Sequence, residues 1–200
     1  SQCHQDVLGE NYQNRIHTHV MEKEHKGVLT GSPLTDVHVT LLTGRAHIKH
    51  TEGGDFREAV YRAIRQGLMQ AKSVLLEPYY AFSISAPSTF MGRIMADIQK
   101  RNGSFDPPLL EDDLVQVKGR GPAALFMEYP QEFIALTGGK GSIQLTFDGY
   151  EPCHNSQQVI EEIGYDCESD LENPSCSVFC SHGAGFTVHW SQVKDYIHCK

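Results

Sequence analysis

Between Ser73 and Pro152 the hydrophobic period changes in a fixed order, and that order leaves few ways to fold. SVLLEPYYAFSISAP (73–87) reads as a strand that Pro87 ends. STFMGRIMADIQKRN (88–102) shifts to helical spacing, with Ser88 as the expected N-cap and Phe90, Met91, Ile94, Met95 and Ile98 inside. GSFDPPLLEDDLVQVKGRG reads as two strands around an acidic turn, where Asp112 and Asp113 serve hydration. PAALFMEYPQEFIALTGG starts as a helix with Pro122 in its first turn, and Pro130 is expected to end or kink it. GSIQLTFDGY is the last strand. The order β-α-β-β-α-β is the split βαβ, or ferredoxin-like, motif, and the fold class is α+β.

The residues before this block follow a different pattern. NYQNRIHTHVMEKEHKG (11–27) carries Tyr12, Ile16 and Val20 on one helical face, with Gly27 as a stop. His17 and His19 lie two apart and are expected in solvent. VHVTLL (37–42) alternates and is β-branched, which predicts a half-buried strand; AHIKH is a candidate return strand. Phe56, Ala59, Val60, Ala63, Ile64, Gly67, Leu68 and Ala71 form the stripe of a second helix, with Asp55 as its expected N-cap. Arg57, Arg62, Arg65 and Lys72 fall mostly off that stripe and are expected as a solvated face. After Pro152 come a short helix, an acidic connector and two candidate strands, SVFC and FTVHW, around a glycine turn. The expected division is 1–77, 78–152 and an extension, 153–200.

The chain has a net charge of −8, yet its charges are segregated. No acidic residue lies between Asp36 and Glu52, a stretch holding His38, Arg45, His47, Lys49 and His50. No lysine or arginine lies between Gly141 and Val193. A basic, glycine-ended tip, GRAHIKHTEGGD (44–55), is suited to phosphates and base edges of folded RNA. A solvated, idle hairpin tip is the other reading of the same residues. No apolar run approaches membrane-spanning length and no leader opens the chain, so a cytoplasmic protein with reduced thiols is expected.

Other motifs weigh less. TGGKGS (137–142) lacks the Gly-Lys-Ser/Thr step and the following helix of a phosphate loop, so it reads as a turn between helix and strand. Cys176, Cys180 and His182, with His189 and Cys199 nearby, offer zinc ligands at a spacing looser than a paired knuckle. A stand-alone zinc-stabilised interaction module is the alternative they support. No nucleophile elbow exists, and no catalytic, cofactor or metal residue is assigned.

Several stretches, in order over about residues 10–152, resemble one family. GSPLTDVHVTLLTGRAH (31–47) is similar to the part of domain IV in the elongation factor G superfamily that leads to the domain's tip. LLEPYYAFSISAPSTFMGRIMADIQKRNG (75–103), PAALFMEY and GGKGSIQLTFDGYEP resemble domain V. LLEPYYAF and PAALFMEY look closest to the tetracycline ribosomal-protection branch, although IKHTE lacks the proline of the better-known protection tips. The resemblance implies an S5-like partial domain IV, a ferredoxin-like domain V, and a C-terminal portion of a longer GTPase. It implies a ribosome-binding arm that enters the decoding centre of the small subunit and meets 16S rRNA, with GTP and Mg held in a GTPase domain elsewhere and no catalysis in this portion. The residues it assigns to ribosomal RNA are Arg45, His47, Ile48, Lys49, His50, Thr51 and Glu52. No membrane or DNA partner is expected. An ordinary translocase arm, moving tRNA and mRNA, is the nearest alternative.

Overall fold

The computed structural model describes residues 1–47, 51 and 53–199. They form two compact units: Ser1–Ser73 with Ile160–Lys200, and Val74–Val159. The fold class is the mixed α+β arrangement, built around an antiparallel sheet.

The first unit opens with α1 (Glu10–Met21) packed on α2 (Gly53–Gln70). Tyr12 and Ile16 of α1 sit against Cys3, Leu8 and Phe56, and Tyr12 stacks on Phe56 with centroids 5.0 Å apart. Four expectations are corrected here. α1 stops at Met21 rather than at Gly27, because His25 Nε2 reaches the Val20 carbonyl at 3.0 Å and takes one of the acceptors a helix end leaves open. Gly27 instead donates to Ser32 O in a later turn. Residues 37–47 build no strand: Gln2 N–H reaches Leu41 O at 2.9 Å, and no ladder forms among the described residues. A strand needs a neighbour along its length, and Val37 and Val39 are left half exposed. α2 already runs from Gly53, so Asp55 lies in its first turn, where a carboxylate favours the helix dipole, rather than at the cap. Finally, Arg65 is not solvated but only 5% exposed.

The second unit is the ferredoxin-like block. β1 (Leu76–Pro87) leads to α3 (Met91–Lys100), then β2 (Ser104–Phe105), β3 (Leu109–Glu111) and β4 (Leu114–Pro122). α4 (Ala123–Phe126), α5 (Tyr129–Thr137) and β5 (Ser142–Pro152) follow. The sheet runs β2-β4-β1-β5, with β3 also on β4, and β1 pairs antiparallel with both neighbours. Pro78 is tolerated in this central strand because it precedes the first β4 partner and sits beside a register shift against β5. Alternate residues Phe82, Ile84 and Ala86 turn inward, meeting Val115 and Val117 of β4 and Ile94 and Ile98 of α3. Phe126 stacks on Phe82 at 5.1 Å and meets Tyr129 edge-on, closing the core. Burial pushes the Tyr129 phenol up to about 12.

Two local expectations change in this unit. Ser88 opens a single 3-10 turn ahead of α3 and makes no side-chain cap; its N–H donates to Asp113 O at 2.7 Å. Pro130 does not end one helix so much as begin the next, lying in the first turn of α5, where a missing N–H costs nothing. The TGGKGS segment is the helix-to-strand turn: α5 ends at Thr137, Gly138 takes the left-handed conformation and β5 starts at Ser142.

The chain then crosses α6 (Ser156–Ile163) and returns to the first unit. There β6 (Ser177–Ser181) and β7 (Ala184–Val188) form a hairpin over a two-residue turn, His182 and Gly183, both with positive φ. The returning segment is held by α2. Arg65 donates to Cys167 O, Tyr165 Oη, Lys26 O and Ser175 Oγ, at 2.9, 3.0, 3.1 and 3.4 Å. Arg62 donates to Cys176 O at 2.7 Å and Pro174 O at 3.2 Å. Two arginines that read as a solvent face are therefore clamps for residues 165–176.

Candidate nucleic-acid interface

The basic tip stands on an apolar base. Leu41 and Ala46 pack against the Cys3, Leu8 and Phe56 cluster. Gly44 lies over Leu8 so closely that a Cβ there would meet Leu8 Cδ2 at 2.7 Å. The chain is pinned at Leu41, Gly44 and Ala46, while Arg45 and His47 on either side of Ala46 are exposed. His47 and Thr51 bond to each other. Thr51 N–H donates to His47 O at 2.9 Å, and His47 N–H donates to Thr51 Oγ1 at 2.8 Å. α2 begins two residues later.

Of the seven residues singled out in sequence, His47 and Thr51 are thus brought together ahead of the N-terminal end of α2, and Arg45 stands exposed two residues before His47. Ile48, Lys49, His50 and Glu52 lie outside the described residues. The arrangement offers an exposed guanidinium and an imidazole on a base whose backbone is fixed by packing. Such a surface can pair with phosphate oxygens and stack or hydrogen bond with unpaired bases.

The next cation along α2 is already engaged. Arg57 Nε lies 2.8 Å from Glu22 Oε1, which also accepts from Tyr61 Oη and faces His19 Nδ1, each at 2.8 Å. These partners, Arg57 first, hold the Glu22 carboxyl down at about 2. His19, expected in solvent beside His17, is buried by this network, while His17 stays exposed. An acidic residue just past the helix was the only signal for it, and spacing alone does not mark Glu22 as the acceptor of three partners.

The cysteine-rich end forms no comparable site. Cys180 sits exposed on β6 opposite Gly185, the Cys176 carbonyl is taken by Arg62, and His189 faces Ser191 Oγ at 2.8 Å. All six cysteines, every one among the described residues, are free thiols. Among the described residues the one group of three potential metal ligands is elsewhere, at Glu77, Cys153 and His154.

Residues 1–72 match the family model for elongation factor G, domain IV, and residues 74–160 match that for the elongation factor G C-terminus, consecutively and in that order. The chain belongs to the elongation factor G family. An elongation factor G-like protein of Thermotoga maritima is 30% identical over 161 residues, 78% of this chain and 23% of its own length. A crystal structure from Thermus thermophilus superposes with a TM-score of 0.71 at 29% identity, covering 79% of this chain and 24% of that one. The chain therefore spans about a quarter of the length of these relatives. The two elongation factor G matches follow the two units described above, and the tip residues fall within the domain IV match. Residues 161–200 lie beyond both matches.

Proposed function

We propose that this chain is the ribosome-contacting arm of a translational GTPase, and that the tip from Arg45 to Glu52 enters the decoding centre of the small subunit and meets 16S rRNA. The observation that carries the reading is the succession of two elongation factor G domains, with Arg45 and His47 exposed on a packed base in the first. In this role Arg45 and Lys49 neutralise phosphates, and His47 and His50 stack or hydrogen bond. GTP and Mg are held outside these residues, hydrolysis takes place there, and the arm works in the cytoplasm by steric and electrostatic contact. The test is binding of the chain to ribosomes at graded salt. Arg45→Ala together with Lys49→Ala is expected to weaken binding and to lower the salt slope by about one for each phosphate no longer neutralised. Binding and slope unchanged from low to high salt overturn the reading.

Within that role, the likeness of LLEPYYAF and PAALFMEY to tetracycline ribosomal-protection proteins supports a drug-displacing arm. The Thermotoga relative, named only as elongation factor G-like, supports a translocase arm instead. Tetracycline susceptibility of cells making the full-length parent separates the two: protection is expected only of the first.

A further inference from the structure

In the second unit, the start of β1 and the end of β5 lie side by side, with Leu76 opposite Pro152 and Glu77 opposite Glu151. The peptide after β5 continues the pairing, since Cys153 N–H donates to Leu75 O at 2.8 Å. This register carries Cys153 and His154 back onto Glu77. Glu77 is a buried carboxylate, 8% exposed. Its Oε1 accepts the His154 backbone N–H at 2.8 Å and lies 2.7 Å from His154 Nδ1. The thiol of Cys153, the imidazole of His154 and the carboxylate of Glu77 place one ligand atom each within 4.8 Å of the others.

We propose that Glu77, Cys153 and His154 bind a divalent transition-metal ion, with zinc the best match. The donor set argues for this choice. Thiolate and imidazole exclude the hard cations magnesium and calcium, and a thiolate-imidazole-carboxylate set suits a borderline-soft ion in tetrahedral geometry. Size argues for it too. Bonds of about 2.0–2.1 Å to nitrogen and oxygen put tetrahedral ligand atoms about 3.3 Å apart, and slightly more when one is sulfur. The oxygen and nitrogen, now 2.7 Å apart, open by about 0.6 Å, and the sulfur closes by about 1.5 Å at most. Both shifts lie within side-chain rotation. Cys153 is half-buried and donates to Asn155 Oδ1 at 3.3 Å, a weak bond to give up. Glu77 is buried, Cys153 half-buried and His154 exposed, so the ligand set opens to solvent at the imidazole, where an ion can enter. On binding, the Cys153 thiol proton leaves to solvent, the proton on His154 Nδ1 moves to Nε2 or to solvent, and metal–sulfur, metal–nitrogen and metal–oxygen bonds form in their place. The ion ties the first residues of β1 to the first residues past β5.

Cobalt(II) is the probe, because a cobalt–thiolate bond gives a near-ultraviolet charge-transfer band that nitrogen and oxygen ligands do not. The reduced full chain is titrated with Co(II), then back-titrated with Zn(II). The expected result is a thiolate band saturating at one equivalent and erased by zinc. Cys153→Ser abolishes the band, His154→Asn and Glu77→Gln weaken binding at least about tenfold, and Cys176→Ser leaves it unchanged. A wild-type chain with no thiolate band at one equivalent overturns the proposal whatever the variants do. So does a band that survives Cys153→Ser or vanishes in Cys176→Ser. Zinc is also expected to raise the melting temperature of wild type and of Cys176→Ser, but not of Cys153→Ser; an equal rise in all three overturns it.

Discussion

Replacing Arg65 by alanine tests whether α2 holds the returning C-terminal segment. The guanidinium is buried, and its four acceptors are all neutral: Lys26 O, Tyr165 Oη, Cys167 O and Ser175 Oγ. The loss is not four equal bonds. Tyr165 Oη keeps its own bond to Asp170 at 2.6 Å, and Cys167 O keeps the Ser175 hydroxyl at 2.7 Å. Lys26 O, partly buried, loses its side-chain donor outright, at about 1 kcal/mol or somewhat more. The remaining charge-assisted bonds add stabilisation that is partly offset by the cost of keeping a guanidinium out of water. The net expectation is a loss of about 3 kcal/mol. Trp190 is the single tryptophan, and its carbonyl accepts from Gln66 of α2 at 2.6 Å, so its fluorescence reports this unit. Urea unfolding followed at Trp190 is expected to shift its midpoint down by roughly 1–3 M. Arg65→Lys keeps the charge without the fork and is expected to fall between the two. Arg57→Ala removes a half-exposed ion pair and serves as the control, with a much smaller midpoint shift expected. An Arg65→Ala loss no larger than that of the control refutes the clamp.

Three further outcomes are expected. Glu22, with its carboxyl held at about 2 against an ordinary 4.5, contributes stability that is complete above 4.5 and fades as pH falls through 2. Glu22→Gln should therefore lower stability at pH 7 and converge on wild type near pH 2, and parallel curves at all pH values contradict this. Gly121→Ala should destabilise the second unit by about 1–3 kcal/mol, since its Cβ would stand 2.1 Å from Phe126 Cε2. Phe126→Leu in the same chain should recover part of that loss, as read by a double-mutant cycle in thermal unfolding. Arg45→Ala alone should lower the salt slope of ribosome binding and leave the Trp190 urea midpoint unmoved, because the side chain is exposed; a shifted midpoint would assign it to the fold.

The ferredoxin-like unit was legible because its signals are local and agree with one another. Phe82, Ile84 and Ala86 alternate, Ile94 and Ile98 recur at helical spacing, and Pro87 and Gly138 mark boundaries where the backbone changes. The first unit was less legible because what holds it is long-range. Nothing within a few residues of Arg65 indicates that three of its four acceptors come from residues 165–175, about a hundred positions away. An arginine off the apolar stripe of a helix is usually solvated, so the local rule was sound and tertiary packing overrode it. The Glu77–Cys153–His154 group was hidden for the same reason: Cys153 and His154 are adjacent in sequence, but Glu77 joins them only through the β1–β5 register.

The tip shows what alternation cannot tell. A period of two through VHVTLL does not carry on to Ala46: it would put Leu41 on the side of Arg45 and His47, yet Leu41 and Ala46 both pack inward while Arg45 and His47 are exposed. Nor does it distinguish a strand in a ladder from an extended chain pressed on helices, because both put alternate side chains on opposite sides. What decides between them is the availability of a neighbouring backbone, and among the described residues only Gln2 reaches in, at Leu41. The tip's position is therefore set by side-chain packing, through Leu8 under Gly44 and Phe56 near Ala46, rather than by a sheet. Both supports come from the α1–α2 core, with Leu8 just ahead of α1 and Phe56 in the first turns of α2. The aim of Arg45 and His47 is then coupled to how well that small cluster is packed. A cavity at Leu8, far from any charged group of the tip in sequence, reaches the candidate interface by loosening the backbone it rests on.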